Sequence, residues 1–113
     1  YCSWTGTTIG KGSILAPGPY NIPNIHVEAY AVYTNKTVTG AMRGFGAPQV
    51  CFAYESQMDT IAEKLGMNPL EIRLKNAFSD GSSSPTSQRL QSVALKESLN
   101  QASERFGWQE SEA

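Results

Sequence analysis

Gly40-Ala41-Met42-Arg43-Gly44-Phe45-Gly46-Ala47-Pro48-Gln49 is the stretch on which the reading of this chain turns. Its glycines let backbone N–H groups approach a ligand closely. Pro48 suits the first turn of a helix, where its missing N–H costs nothing. A helix start of this kind favours anionic groups. Upstream, Ile25 to Thr34 alternates: Ile25, Val27, Ala29, Ala31 and Tyr33 share one face, and His26, Glu28, Tyr30, Val32 and Thr34 the other. Period two predicts a strand. Downstream, Cys51, Tyr54, Met58, Ile61, Ala62 and Leu65 recur at helical spacing and predict a long helix with one apolar stripe. The glycine-rich stretch is therefore expected to be a ligand-facing loop between a strand and a helix.

Beyond the long helix, Gly66 is expected to be a left-handed cap. Asn68-Pro69-Leu70-Glu71 then reads as a new start, with Asn68 as N-cap, Pro69 at the first position and Glu71 as capping-box partner. Leu70, Leu74, Ala77 and Phe78 give this second helix an apolar edge. Residues 80–91 are polar and rich in Gly, Ser and Pro, which predicts a disordered linker or a long surface loop. A third helix is expected from about Val93 to Phe106, with Ser92 as N-cap and Gly107 as C-cap.

Towards the N-terminus, Tyr1 to Trp4 is read as the stub of a strand. Thr5-Gly6-Thr7-Thr8 and Gly10-Lys11-Gly12 are read as turns. Residues before Pro17, Pro19 and Pro23 avoid the helical region. The fold class expected is α+β, a strand-rich N-terminal part followed by about three helices.

The bulk properties exclude several classes. Net charge is −1, without the basic footprint of a nucleic-acid binder. No apolar run approaches membrane-spanning length, and no signal-peptide pattern opens the chain. Cys2 and Cys51 lack metal-ligand spacing and His26 is the one histidine, so a protein-ligated zinc site is not expected; the thiols read as free, in a protein of cytoplasmic type. Asn35-Lys36-Thr37 fits a glycosylation acceptor by chance. The absent initiator methionine suggests an excised piece. Two acidic features have bland readings beside functional ones. His26 and Glu28 share a strand face and are a solvated pair or a catalytic one. Glu55, Asp59 and Glu63 form a solvated helix face or an acid/base or metal site, with Glu55 nearest the glycine loop.

An ordered set of motifs now accumulates: Gly18-Pro19-Tyr20-Asn21-Ile22-Pro23-Asn24, Tyr33-Thr34-Asn35, the stretch from Gly40 to Gln49, then Glu55, Met58-Asp59, Ala62, Leu65-Gly66, Asn68-Pro69, Glu71, Arg73 and Asn76. In this set the chain resembles the molybdenum-binding subunit of the xanthine dehydrogenase/aldehyde oxidase family of molybdenum hydroxylases, strongly over residues 18–80. The resemblance implies a partial molybdopterin-binding domain over 1–113: strand and turn segment 1–38, cofactor and substrate loop 39–49, helical corner 50–79, polar loop 80–91 and C-terminal helix 92–113. It implies that Arg43 and Gly44 contact the molybdenum–molybdopterin cofactor. The Arg43 main chain would lie near the metal's oxygen ligands, and Phe45 would pack against a flat substrate. The family pattern usually has an aromatic residue where this chain has Met42; the cofactor contact, made by backbone, is untouched by that departure. Independently, Phe45 offers a stacking or edge surface to a ring, or simply anchors the loop. Arg43 alone would read as a surface residue or phosphate partner.

The resemblance further implies a parent oxidoreductase that hydroxylates N-heterocycles (purine-like) or aldehydes with water oxygen. Its partners would be the remainder of the molybdenum subunit, iron–sulfur clusters and FAD in other subunits or domains, and the small substrate. The catalytic glutamate of such enzymes lies in a downstream Gly-Glu motif that this chain lacks, so no catalytic residue is expected here and the isolated chain should be inactive. The rival readings are a stand-alone binding module whose glycine-rich loop cradles an anion or phosphate, and a non-catalytic packing domain.

Overall fold

The computed structural model describes residues 3–37 and 40–108. Four helices follow one another: α1 (Thr5–Leu15), α2 (Ala47–Leu65), α3 (Pro69–Asn76) and α4 (Leu95–Phe106). α2 packs against both α1 and α3, and α3 against α4.

The corner between α2 and α3 follows from local sequence. Gly66, at φ 61°, ends α2: its N–H reaches the Glu63 carbonyl, and the Met67 N–H reaches back to Ala62 at 2.9 Å. This Schellman pairing satisfies carbonyls that the helix end leaves open. Asn68 caps α3 by accepting the Leu70 N–H on Oδ1 at 2.7 Å, and Pro69 occupies the first turn. No bond from Glu71 back to Asn68 completes a capping box. Among the described residues Ala62, Ile72, Ala77, Phe78 and Tyr20 form the small core, and no large side chain is fully buried.

α3 stops at Asn76, two residues before the expected apolar edge ends. Ala77 and Phe78 instead line up with Pro19–Asn21: the Phe78 N–H donates to the Pro19 carbonyl at 3.0 Å and the Asn21 N–H to the Asn76 carbonyl at 2.7 Å. The resulting Tyr20–Ala77 contact is a single antiparallel bridge.

The expected α+β class, with a strand-rich N-terminal part, is wrong. Among the described residues there are four helices and no strand, only isolated bridges. Two physical causes account for it. Thr5–Leu15, read as turns, is helix α1. Its glycines lower helix propensity, but α1 packs against α2, and Gly12 is buried beside Val50, where a Cβ would stand in ordinary contact at 3.6 Å. Thr8 and Ser13 turn their hydroxyls back onto the carbonyls of Trp4 and Ile9. Ile25 to Thr34 is extended and exposed, and no backbone–backbone hydrogen bond joins residues 22–32 to another described residue. Alternation specifies an extended backbone with two faces, whereas a strand also needs a ladder partner. The proposed stub at Tyr1–Trp4 has its first two residues outside the described ones; Ser3 and Trp4 lead as a turn into α1.

Residues 80–91 are an ordered turn. Leu90 N–H donates to the Ser82 carbonyl, Gly81 N–H to the Leu90 carbonyl, and Ser83 bridges Arg89. α4 begins two residues later than expected and is capped by Gly107 at φ 68°. Ser92 is not its N-cap; the Val93 N–H is taken by the Asp80 carboxylate at 2.6 Å. Of the range 92–113, the last five residues lie outside the described ones. No described helix is long and apolar enough to cross a membrane.

Candidate functional site

Three successive residues of the glycine-rich loop are left-handed: Gly44 at φ 88°, Phe45 at φ 50° and Gly46 at φ 91°. Glycine takes this conformation freely and phenylalanine does not. Space demands glycine too. A Cβ on Gly46 would strike the Thr8 carbonyl of α1, and one on Gly44 would stand 2.7 Å from Pro48 Cδ. Gly46 is the residue from which α2 springs. The Ala47 N–H turns back to the Gly44 carbonyl at 3.0 Å, while the amides of Arg43, Gly44, Phe45 and Gly46 have no acceptor among the described residues.

The side chains divide accordingly. Met42 is 96% exposed and Arg43 is exposed. Phe45 is half-buried and meets the Trp4 indole edge-on, with ring centroids 5.7 Å apart and planes at 71°. This contact, between residues far apart in sequence, has no local signal.

A cleft of about 520 Å³ opens beside the loop, between Thr8 and Ser13 of α1, Glu28 and Tyr30 of the extended segment, and Gly40, Gly46 and Gln49. The predicted residues Arg43, Gly44 and Phe45 do not line it. His26 does not line it either, but its Nε2 lies 2.9 Å from Glu28 Oε1, and the Tyr30 hydroxyl donates to Glu28 Oε2 at 2.7 Å. Tyr30 first and His26 second hold the Glu28 carboxyl below its ordinary range, and the same bond raises the Tyr30 phenol. His26 and Glu28 do pair, in full exposure to solvent. Tyr30 was legible as the third member by its place on the same face.

Glu55 faces away from the loop. It accepts the Tyr20 hydroxyl at 2.8 Å on one oxygen and Arg73 Nε at 2.7 Å on the other. Arg73 also reaches Asp59 at 2.8 Å and the carbonyls of Pro69 and Glu55. Burial works to lower the Arg73 pKa, but Asp59 and Glu55 leave it raised. Burial, then the bond to Glu55, pushes the Tyr20 phenol well up. Two of the three acidic residues on the α2 face thus hold α3. Among the described residues no group of three His, Cys, Asp or Glu could hold a metal. Cys51 is an exposed free thiol, and Cys2 lies outside the described residues.

The donor set suits a large anionic cofactor better than a coordinated ion: four consecutive unpaired amides on a glycine-relaxed backbone at a helix head. Comparison with known proteins bears on this. Residues 1–77 match the family model described as molybdopterin cofactor-binding domain. The chain is 42% identical over 106 residues to the nicotinate dehydrogenase large molybdopterin subunit of Eubacterium barkeri, covering 93% of this chain and 25% of that protein. It is 41% identical over 117 residues to the xanthine dehydrogenase molybdenum-binding subunit of Escherichia coli O157:H7, covering 96% of this chain and 16% of that one. The crystal structure of the aldehyde oxidoreductase from Desulfovibrio desulfuricans ATCC 27774 superposes with a TM-score of 0.86 at 31% identity, over 95% of this chain and 12% of that chain. The chain thus spans a quarter or less of the length of these relatives. On the family match, the relatives and the shared fold together, it belongs to the molybdopterin cofactor-binding domain family of the molybdenum-dependent xanthine dehydrogenases and aldehyde oxidoreductases.

Proposed function

We propose that this chain forms one wall of the molybdenum site of a hydroxylase acting on N-heterocycles or aldehydes. The observation that carries the reading is the run of amides from Arg43 to Gly46 without an acceptor among the described residues, with Gly44, Phe45 and Gly46 left-handed at the head of α2. The amides of Arg43 and Gly44 would hold the molybdenum cofactor, with the Arg43 main chain on the side of the metal. Phe45 offers its ring to a flat substrate and orients it. Residues 39–49 are the cofactor and substrate loop of a partial domain over 1–113, and the helices behind it hold the loop in place.

When bound, the molybdenum cofactor supplies the oxidative chemistry, and the protein supplies binding and orientation. The overall change converts a substrate C–H and one water into C–OH, two protons and two electrons. Iron–sulfur clusters and FAD in the parent assembly would take up those electrons and pass them to an acceptor. Neither Glu55, engaged with Tyr20 and Arg73, nor Glu28, engaged with His26 and Tyr30, is assigned the role of catalytic base. The parent is read as a cytoplasmic enzyme.

The test is Phe45→Ala in the full-length enzyme. Loss of an aromatic contact worth about 0.5–1.5 kcal/mol is expected to raise KM for ring substrates by about 2- to 10-fold. Unchanged turnover and unchanged KM would remove the orienting role.

A further inference from the structure

Phe45 is held in an unfavourable backbone conformation, and the structure holds it there at two points on one helix turn. The first is the close approach of Gly46 to the carbonyl of Thr8. The second is the ring of Trp4, the residue at which α1 starts, set edge-on to Phe45 at 5.7 Å. The same turn is stiffened from within: the Trp4 carbonyl accepts both the N–H and the hydroxyl of Thr8, each at 2.9 Å. Trp4 is not a core residue. It is 54% exposed, and the buried residues Tyr20, Ala62, Ile72, Ala77 and Phe78 form a separate cluster. A large indole, half in solvent, is thus placed against the one non-glycine left-handed residue of the loop.

We propose that Trp4 is a positioning residue for Phe45: its indole sets the tilt of the Phe45 ring and, through that ring, the width of flat substrate the site accepts. The inference rests on Phe45 facing substrate. It adds a specificity determinant on α1, outside the glycine-rich motif. An aromatic pair prefers edge-to-face or offset geometry, so the first ring restricts the second to a few orientations. Without the indole, the Phe45 ring gains rotational freedom, and its left-handed backbone loses one of its two restraints.

The experiment uses the full-length enzyme with Trp4→Ala, Trp4→Phe, Phe45→Ala and the Trp4→Ala/Phe45→Ala double variant. Trp4→Ala is expected to raise KM for ring substrates by about 2- to 10-fold, with kcat changed by less than about 2-fold. Trp4→Phe should restore most of that loss, since an edge-to-face partner returns. The double variant should be no worse than Phe45→Ala, because Trp4 acts only through Phe45. A readout independent of turnover is hydrogen exchange of the peptide covering residues 40–49, expected to quicken in Trp4→Ala and recover in Trp4→Phe. Additive losses in the double variant, or unchanged KM and exchange in Trp4→Ala, would overturn the proposal. Should Trp4→Ala fail to fold, Trp4→Leu replaces it, keeping apolar bulk without a ring; a substrate profile identical to Trp4→Phe then sinks the idea. A silent Phe45→Ala sinks the substrate-facing reading itself, whereas an active Phe45→Ala beside a silent Trp4→Ala sinks only the role of Trp4.

Discussion

Arg73 on α3 and Glu55 on α2 meet Nε to Oε2 at 2.7 Å, with the arginine side chain 15% exposed and the glutamate 34%. The pair is shielded enough for its loss to register, and it is not alone: Glu55 also holds the Tyr20 hydroxyl. Glu55→Ala therefore leaves two donors without their acceptor and is expected to cost about 2 kcal/mol. Asp59, whose side chain is 61% exposed, makes the outer contact to Arg73; Asp59→Ala is expected to cost less than about 1 kcal/mol. Urea unfolding of the two variants side by side gives the ordering, and equal costs would contradict it.

Gly46 and Gly66 are both left-handed, at φ 91° and 61°, yet only Gly46 has backbone against the place where a side chain would go. Gly66→Ala should cost about 1 kcal/mol, from conformation alone. Gly46→Ala adds a collision with the Thr8 carbonyl and should cost at least about 2 kcal/mol while moving the loop off α1. Thermal unfolding midpoints decide between this ordering and its reverse.

The Asn68 side chain satisfies an otherwise open amide at the start of α3. Asn68→Ala is expected to lose about 1 kcal/mol, and Asn68→Asp to lose little, since aspartate caps equally well. Denaturant midpoints of the pair measure the cap separately from any effect of size.

Burial raises the phenols of both Tyr20 and Tyr54, helped by Glu55 at the first and the Cys51 thiol at the second, where the pKa reaches about 12. Both folded pKa values lie above the ordinary value of 10, so the fold favours the neutral phenol. The corresponding stability is fully present below about pH 10 and is lost as pH rises through about 12. Stability measured from pH 9 upward should fall, and the fall should flatten in a Tyr20→Phe/Tyr54→Phe variant. A slope that survives both substitutions would assign the loss to other groups.

The parts of the fold that were legible in sequence are those whose signals are local. Gly66, Asn68 and Pro69 announce the α2–α3 corner because each acts on the residues beside it, and Gly44 and Gly46 announce a loop for the same reason. α1 was not legible, since Gly6, Gly10 and Gly12 weaken any helix and the packing that compensates comes from α2, distant in the chain. The alternation at Ile25 to Thr34 was real but told only of an extended backbone. In the candidate site, the glycine-rich backbone was legible. The engagement of Glu55 by Tyr20 and Arg73, and of Phe45 by Trp4, was not, because nothing in the sequence near either residue names its partner.

The single bridge between Tyr20 and Ala77 joins the arm before the extended segment to the end of α3, across about half of the chain. Closing so long a loop is costly, and the α2–α3 corner needs no such closure. The corner is therefore expected to be structured in the folding transition state, with the N-terminal arm arriving after the barrier. Tyr20→Phe should then speed unfolding and leave the folding rate nearly unchanged, whereas Ala62→Gly should slow folding, a contrast stopped-flow chevrons would read directly. The glycine-rich loop lies at the seam between the early part and the late one, so the wall it contributes is completed only when α1 docks.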